Sequence, residues 1–206
     1  MANQLGFYVN LSACSGCKAC QIACQDKNDL QDGRKWRRVV EVEGGGWHKV
    51  GDTWTTNVFS YYVSTACYHC EEPPCMDVCP ASAITKRDDG IVLIDADKCI
   101  GCRYCEWTCP YGAPQFDESR GVMTKCNMCY DAVDAGDKPT CVTACPSRAL
   151  DFGTIAELRE KYGNVVTEVA PLPEASITEP AMVIKPHRHA KAVGSRAGQL
   201  ANPKEL

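Results

Sequence analysis

Eighteen consecutive apolar residues, about the length a helix needs to cross a bilayer, occur nowhere in this sequence. The longest aliphatic pieces, Ile91 to Ile94 and Ala181 to Ile184, are strand-sized. No basic segment followed by an apolar one opens the chain, so no secretory signal is expected on it. A formal charge of −4 gives nucleic-acid binding no support. A chain of 206 residues also lacks room for a large catalytic domain beside the cysteine loops described next.

Cysteine is what the chain has in excess. The run Cys99-Ile-Gly-Cys102-Arg-Tyr-Cys105-Glu-Trp-Thr-Cys109-Pro110 has the spacing that wraps a cubane [4Fe–4S] cluster. Three cysteines on a tight loop converge on one cluster, and Gly101 lets the backbone come close. The fourth, followed by a proline, points away toward a second cluster. A cysteine-only run with no histidine or carboxylate at ligand spacing argues against a catalytic metal with an open position.

Three more runs follow the same plan. Cys14, Cys17, Cys20 and Cys24 repeat the spacing with Gln25 in place of proline. Cys67, Cys70, Cys75 and Cys79 widen the middle gap, and Cys126, Cys129, Cys141 and Cys145 widen it further. The four runs use all 16 cysteines. A disulfide scaffold does not call for repeated two-residue gaps ending in Cys-Pro, and structural zinc sites use two pairs rather than triplets with an outlying fourth. Clusters are built into reduced thiols, so assembly in the cytoplasm is expected.

Short strands precede three of the runs, at Gly6–Asn10, Tyr61–Ser64 and Ile91–Asp95. After each Cys-Pro a helical turn with proline in its first positions is expected, then a strand. Lys86 to Gly90 reads as a hairpin turn by its Asp-Gly pair. The expected fold class is α+β, with two bacterial-ferredoxin-like modules that each bind two [4Fe–4S] clusters. Residues 59–122 form the central module with the second and third runs. Residues 5–33 and 123–153, carrying the first and fourth runs, fold together as the other.

Residues 34–58 read as a hairpin insertion, with Trp36, Trp47 and Trp54 either packing over a cluster or meeting a partner subunit, together with nearby arginines. Residues 154–206 read as a short helix followed by an extended, proline-rich C-terminal arm laid over another surface. Lys18 and Arg103 sit inside cysteine loops and read first as solvated side chains. His69 reads as a hydrogen-bond donor to sulfur, and His48, His187 and His189 as surface residues. Full thiolate ligation suits one-electron transfer, and paired runs suit a line of stepping stones.

The cysteine runs, the stretch Cys109-Pro-Tyr-Gly-Ala-Pro-Gln115, and the segments Ala149-Leu-Asp-Phe-Gly153 and Leu200-Ala-Asn-Pro-Lys-Glu205 are similar to those of a known family. They resemble the iron–sulfur B subunits of anaerobic dimethyl sulfoxide reductases, over essentially the whole chain. The resemblance implies a cluster held by Cys14, Cys17, Cys20 and Cys145, and another held by Cys24, Cys126, Cys129 and Cys141. It implies a third on Cys67, Cys70, Cys75 and Cys109, and a fourth on Cys79, Cys99, Cys102 and Cys105. Related nitrate-reductase subunits carry tryptophan where Cys102 stands and hold a three-iron cluster there, so four cubanes are implied here.

It further implies a heterotrimer with a molybdopterin catalytic subunit that reduces S- and N-oxides and an integral membrane anchor that oxidises menaquinol. This chain would be a non-catalytic electron carrier, peripheral on the cell membrane, exported with the twin-arginine signal of its catalytic partner. Polysulfide, thiosulfate, tetrathionate and selenate reductases use similar subunits. A bridging protein with non-conducting metal sites is the reading from a different class.

Overall fold

The computed structural model describes residues 3–195 and 197–205. Its strands and helices, in order, are β1 (Leu5–Asn10), α1 (Ala19–Lys27), β2 (Arg38–Gly44), β3 (Trp47–Val50), β4 (Thr53–Thr56), β5 (Phe59–Thr65) and α2 (Pro74–Asp77). Then come β6 (Ile84–Lys86), β7 (Val92–Ile94), α3 (Tyr104–Thr108), β8 (Gln115–Asp117), β9 (Val122–Thr124), α4 (Tyr130–Asp134) and α5 (Thr140–Thr143). The chain closes with β10 (Leu150–Thr154), α6 (Ile155–Tyr162), β11 (Met182–Lys185) and β12 (Gln199–Leu200). Small sheets and short helices make this a mixed α and β fold held by its loops.

β1 is the centre of one sheet, antiparallel to β10 and parallel to β11. Phe7, Tyr8 and Val9 are consecutive and all buried, because a strand covered on both faces has no polar side. α6 packs against this sheet through Leu158, with Tyr162 stacked on Tyr8 at 3.5 Å. Its start is fixed by a capping box in which Thr154 and Glu157 satisfy each other's backbone N–H. α1 lies against α5, which brings the first cysteine run beside the fourth.

A second sheet places β2 between β12 and β5, so it spans both sides of position 58. β3 and β4 form a hairpin beyond it with every residue exposed. The insertion thus has two natures. Val39, Val40 and Val42 at its base are core, as are Arg37 and Arg38, whereas Trp47 and Trp54 are at the surface. Two further hairpins, β6–β7 and β8–β9, flank the second and third runs, and the turn at Gly90 has φ of 86°.

Beyond α6 the chain does more than lie extended. Met182, Val183 and Ile184 are buried as β11, and β12 pairs with β2. His187 and His189 are half-buried rather than free at the surface, stacked on Tyr61 and Phe59. Glu205 reaches Lys18 and Lys35 at 2.6 and 2.9 Å. The arm therefore packs on its own chain, because its aliphatic residues complete a sheet edge that β1 would otherwise leave open.

Candidate metal centres

Each cysteine run begins with the same backbone device. The residue two positions after the first cysteine has positive φ in all four, being Gly16, His69, Gly101 and Met128. That left-handed step turns the chain so that successive thiols face one point. Glycine is needed at two of these positions for space as well. A Cβ at Gly101 would lie 2.3 Å from the Gly121 carbonyl oxygen, and one at Gly16 would lie 2.5 Å from the Tyr62 ring. Lys18 and Arg103, expected as solvated loop residues, are left-handed residues at the starts of α1 and α3, paired with Glu205 and Glu106.

The three Cys-Pro steps end in a turn rather than the expected helical turn. Ser82, Gly112 and Arg148, each two residues past the proline, have positive φ, which breaks any helical turn that begins at the proline. This kink aims the next backbone N–H back at the cysteine. Ala83, Ala113 and Ala149 donate to the Sγ atoms of Cys79, Cys109 and Cys145 at 3.3, 3.5 and 3.3 Å. Cys24, which lacks the proline, stays within α1 and has the Asn28 side-chain amide 3.7 Å from its sulfur.

Thiols from different runs come together. Cys67, Cys70, Cys75 and Cys109 wall one small cavity, and Cys79, Cys99, Cys102 and Cys105 wall another. Cys14 lies within electrostatic reach of Cys20, Cys145 and Cys17. Cys24 feels Cys141 and Cys129, and Cys126 feels Cys24 and Cys141. Among the described residues no three potential ligands are close enough to hold a single metal ion.

Burial pushes Cys14 to about 11 and Cys24, Cys70 and Cys75 to about 12. Neighbouring thiols add to the effect. These groups are neutral at physiological pH until a cationic partner displaces their protons. Cys145 is the exception: its burial is outweighed by donors from Ser147, Ala149 and Leu150, and it is lowered.

Two polar atoms point to a missing acceptor. His69 is fully buried and its Nδ1 accepts from the Val92 N–H at 3.0 Å, which leaves the proton on Nε2. That Nε2 has no partner, and His69 lines the same cavity as Cys67, Cys70, Cys75 and Cys109. Burial, and then the Lys125 ammonium, hold the ring neutral. Nη2 of the buried Arg37 is likewise without a partner. Cluster sulfur is an acceptor of the kind both need, so the residues present fit a [4Fe–4S] group.

Two buried cations escaped the sequence reading. Lys125 is 4% exposed, donates to the Val92 and Cys126 carbonyls, and lines the cavity walled by Cys67, Cys70, Cys75 and Cys109. Its signal was its place directly before Cys126. Arg37 stands just before the strand that carries Val39, Val40 and Val42, a position that gives no sign of its cysteine neighbours.

Comparison with known proteins follows the same lines. Residues 58–155 match the model of a 4Fe-4S dicluster domain. The chain is 52% identical over 206 residues to the B component of anaerobic dimethyl sulfoxide reductase from Escherichia coli (strain K12), covering 100% of both. It is 37% identical over 191 residues to the B component of polysulfide reductase from Wolinella succinogenes, covering 91% of this chain and 97% of that one. The B component of sulfite dehydrogenase from Allochromatium vinosum is 36% identical over 187 residues, 80% of this chain and 75% of its own. The chain thus belongs to the family of iron–sulfur B subunits of anaerobic dimethyl sulfoxide reductases, [4Fe–4S] proteins that carry electrons within an oxidoreductase complex and have no catalytic site of their own.

Proposed function

We propose that this chain holds four [4Fe–4S] clusters in a line. The first set is Cys14, Cys17, Cys20 and Cys145, and the second is Cys24, Cys126, Cys129 and Cys141. The third is Cys67, Cys70, Cys75 and Cys109, and the fourth is Cys79, Cys99, Cys102 and Cys105. Two ferredoxin-like modules result, residues 59–122 holding the third and fourth sets, and residues 5–33 with 123–153 holding the others.

The observation that carries this reading is the adjacency of the sets. Cys141 of the second lies within electrostatic reach of Cys20 of the first. Cys126 of the second packs with Cys67 of the third in one apolar cluster. α2 and α3, which carry cysteines of the third and fourth, pack on each other. Exposure supports a wire with two outlets. All four cysteines of the second set are buried, whereas Cys17 in the first is exposed and Cys79, Cys99 and Cys102 in the fourth are half-buried.

A bound [4Fe–4S] cluster with four thiolate ligands accepts and returns one electron and offers no iron position to a substrate. The protein's own residues set the conditions. Backbone N–H groups of Ala83, Ala113, Ala149 and Met123 donate to ligand sulfurs, which favours the more negative, reduced state. His69 supplies a further N–H to the third set. Val63, Ile91 and Met128, none of them exposed, help keep water from the interior.

Ile100 and Trp107 beside the fourth set are 67% and 72% exposed, and Ile22 between Cys20 and Cys24 is 60% exposed. These suit docking at either end of the line, to a molybdopterin catalytic subunit at one and an integral anchor that oxidises menaquinol at the other. Among the described residues no helix is long and apolar enough to cross a membrane, and this reading gives attachment to the membrane to the anchor. The relatives at about half identity are named for dimethyl sulfoxide, which favours dimethyl sulfoxide as the complex's substrate. The more distant one named for polysulfide reductase makes a polysulfide reductase complex the second reading.

The test is an EPR-monitored redox titration of the anaerobically purified complex, with iron and acid-labile sulfide analysis. About sixteen of each per chain and four reducible clusters are expected. Iron far short of that count refutes the ligand sets, and full iron with no reducible cluster between the quinol and substrate potentials refutes the wire. Identification of the co-purifying catalytic subunit decides the substrate.

A further inference from the structure

Arg37 is 2% exposed, and among the described residues no carboxylate pairs with it. A buried guanidinium without an anion is a costly arrangement that a fold keeps only when a counter-charge is supplied. Its surroundings say where that charge lies. Nη1 donates to Ser64 Oγ at 3.1 Å, and Ser64 Oγ is 3.4 Å from Cys20 Sγ. The guanidinium carbon sits 4.5 Å from the centre of the Phe7 ring, which fixes its plane. The side chain faces Cys141 and the backbone N–H faces Cys24. Nη2 is buried and unpartnered.

Cys20 belongs to the first proposed set, and Cys24 and Cys141 to the second. One cation thus stands between two groups of thiolates. We infer that Arg37 is the shared counter-charge of the first and second sets, raising the reduction potential of both and setting the terminal module's two clusters apart in potential from the central module's. Reduction adds one electron and no proton to a set, so a fixed positive charge beside it favours the reduced form. The third set has a buried cation of its own, Lys125, beside Cys75 and Cys109, and among the described residues no hydrogen bond joins Arg37 to a cysteine of the third or fourth set. Ser64 makes the effect separable, because its hydroxyl links the guanidinium to Cys20 alone.

This inference rests on the ligand sets proposed above. The experiment is a redox titration by EPR of the complete complex, with clusters assigned by single Cys→Ser variants, one in each set. Arg37→Gln is expected to disfavour reduction of two clusters at least tenfold, a fall of 59 mV or more for one electron, and to leave the other two unmoved. Arg37→Lys restores at least half of that fall, and Ser64→Ala moves only the cluster held by Cys20. Should Arg37→Gln fail to load its clusters, Arg37→Lys must load all four and shift the potentials of the first and second sets only. Four loaded clusters with unmoved potentials, an equal shift in all four, or no rescue by lysine would overturn the role of Arg37 alone. A wild-type complex without four titrating clusters would overturn the ligand sets and this inference together.

Discussion

Between Phe59 and Thr124 two cysteine runs, two short helices and two β-hairpins lie in one continuous stretch, whereas the runs that begin at Cys14 and Cys126 meet through the long-range pairing of β1 with β10 and the packing of α1 on α5. The central region closes with contacts that are near in sequence. The terminal region closes across most of the chain and is then covered by β11, which joins β1 on its other edge. Similar loops are therefore held by different means, local turns in one and long-range strand pairing in the other. Long-range pairing costs more chain entropy to close, so the terminal region leans more heavily on the C-terminal strands, which also touch the central region at Tyr68 and Glu71.

Removing residues 179–206 tests that difference most severely. It deletes β11 and β12, and iron per chain in the purified complex should fall by about half, with the third and fourth sets retained. Full iron after the deletion would break the comparison. A milder cut is Ile184→Ala, which empties a fully buried position opposite Val9. A loss of about 2–5 kcal/mol is expected by denaturant titration, with amide exchange rising first in β1 and β10.

The loop glycines sharpen the contrast further. Gly101→Ala meets a backbone oxygen and Gly16→Ala meets a side chain that can turn, on top of about 1–2 kcal/mol for the left-handed conformation in each. The central loop should thus be the less tolerant, read as cluster loss by EPR.

The smallest expected effect concerns pH. Burial, with help from His189 and Arg188, lowers the pKa of His187 below the usual imidazole value. The unfolded chain then binds the proton first, so stability contributed by this segment is full above about pH 7 and declines as pH falls through about 6.5. Hydrogen exchange at β12 should quicken between about pH 7 and 5.5, while β6 and β7 stay unchanged. His187→Gln should remove the dependence.

Cysteine spacing made the chemistry legible, because ligand geometry at a cluster tolerates few alternatives. The strand before each of three runs and the Asp89-Gly90 turn were readable for a similar reason, since local pattern decides them. β11 was harder. Pro180 and Pro186 bracket it, and the short run Ala181 to Ile184 looks like an arm until β1 is seen to lack a partner on that side. The turn after each Cys-Pro was misread as helical because proline suits a helix start, while the left-handed residue two places on leaves no trace in Arg148 or Ser82. Arg37 was invisible as a centre because its neighbours come from β1, β5 and the cysteine loops, which only tertiary pairing brings together.

Synthesis runs from Cys14 toward β11, and β11 is what seals β1. The earliest thiols to leave the ribosome are therefore among the last to be enclosed, with more than a hundred residues still to be translated. The central hairpins can form while that wait continues. Cofactor delivery to this protein would then proceed from the middle outward, and an interrupted chain would emerge half-furnished rather than empty.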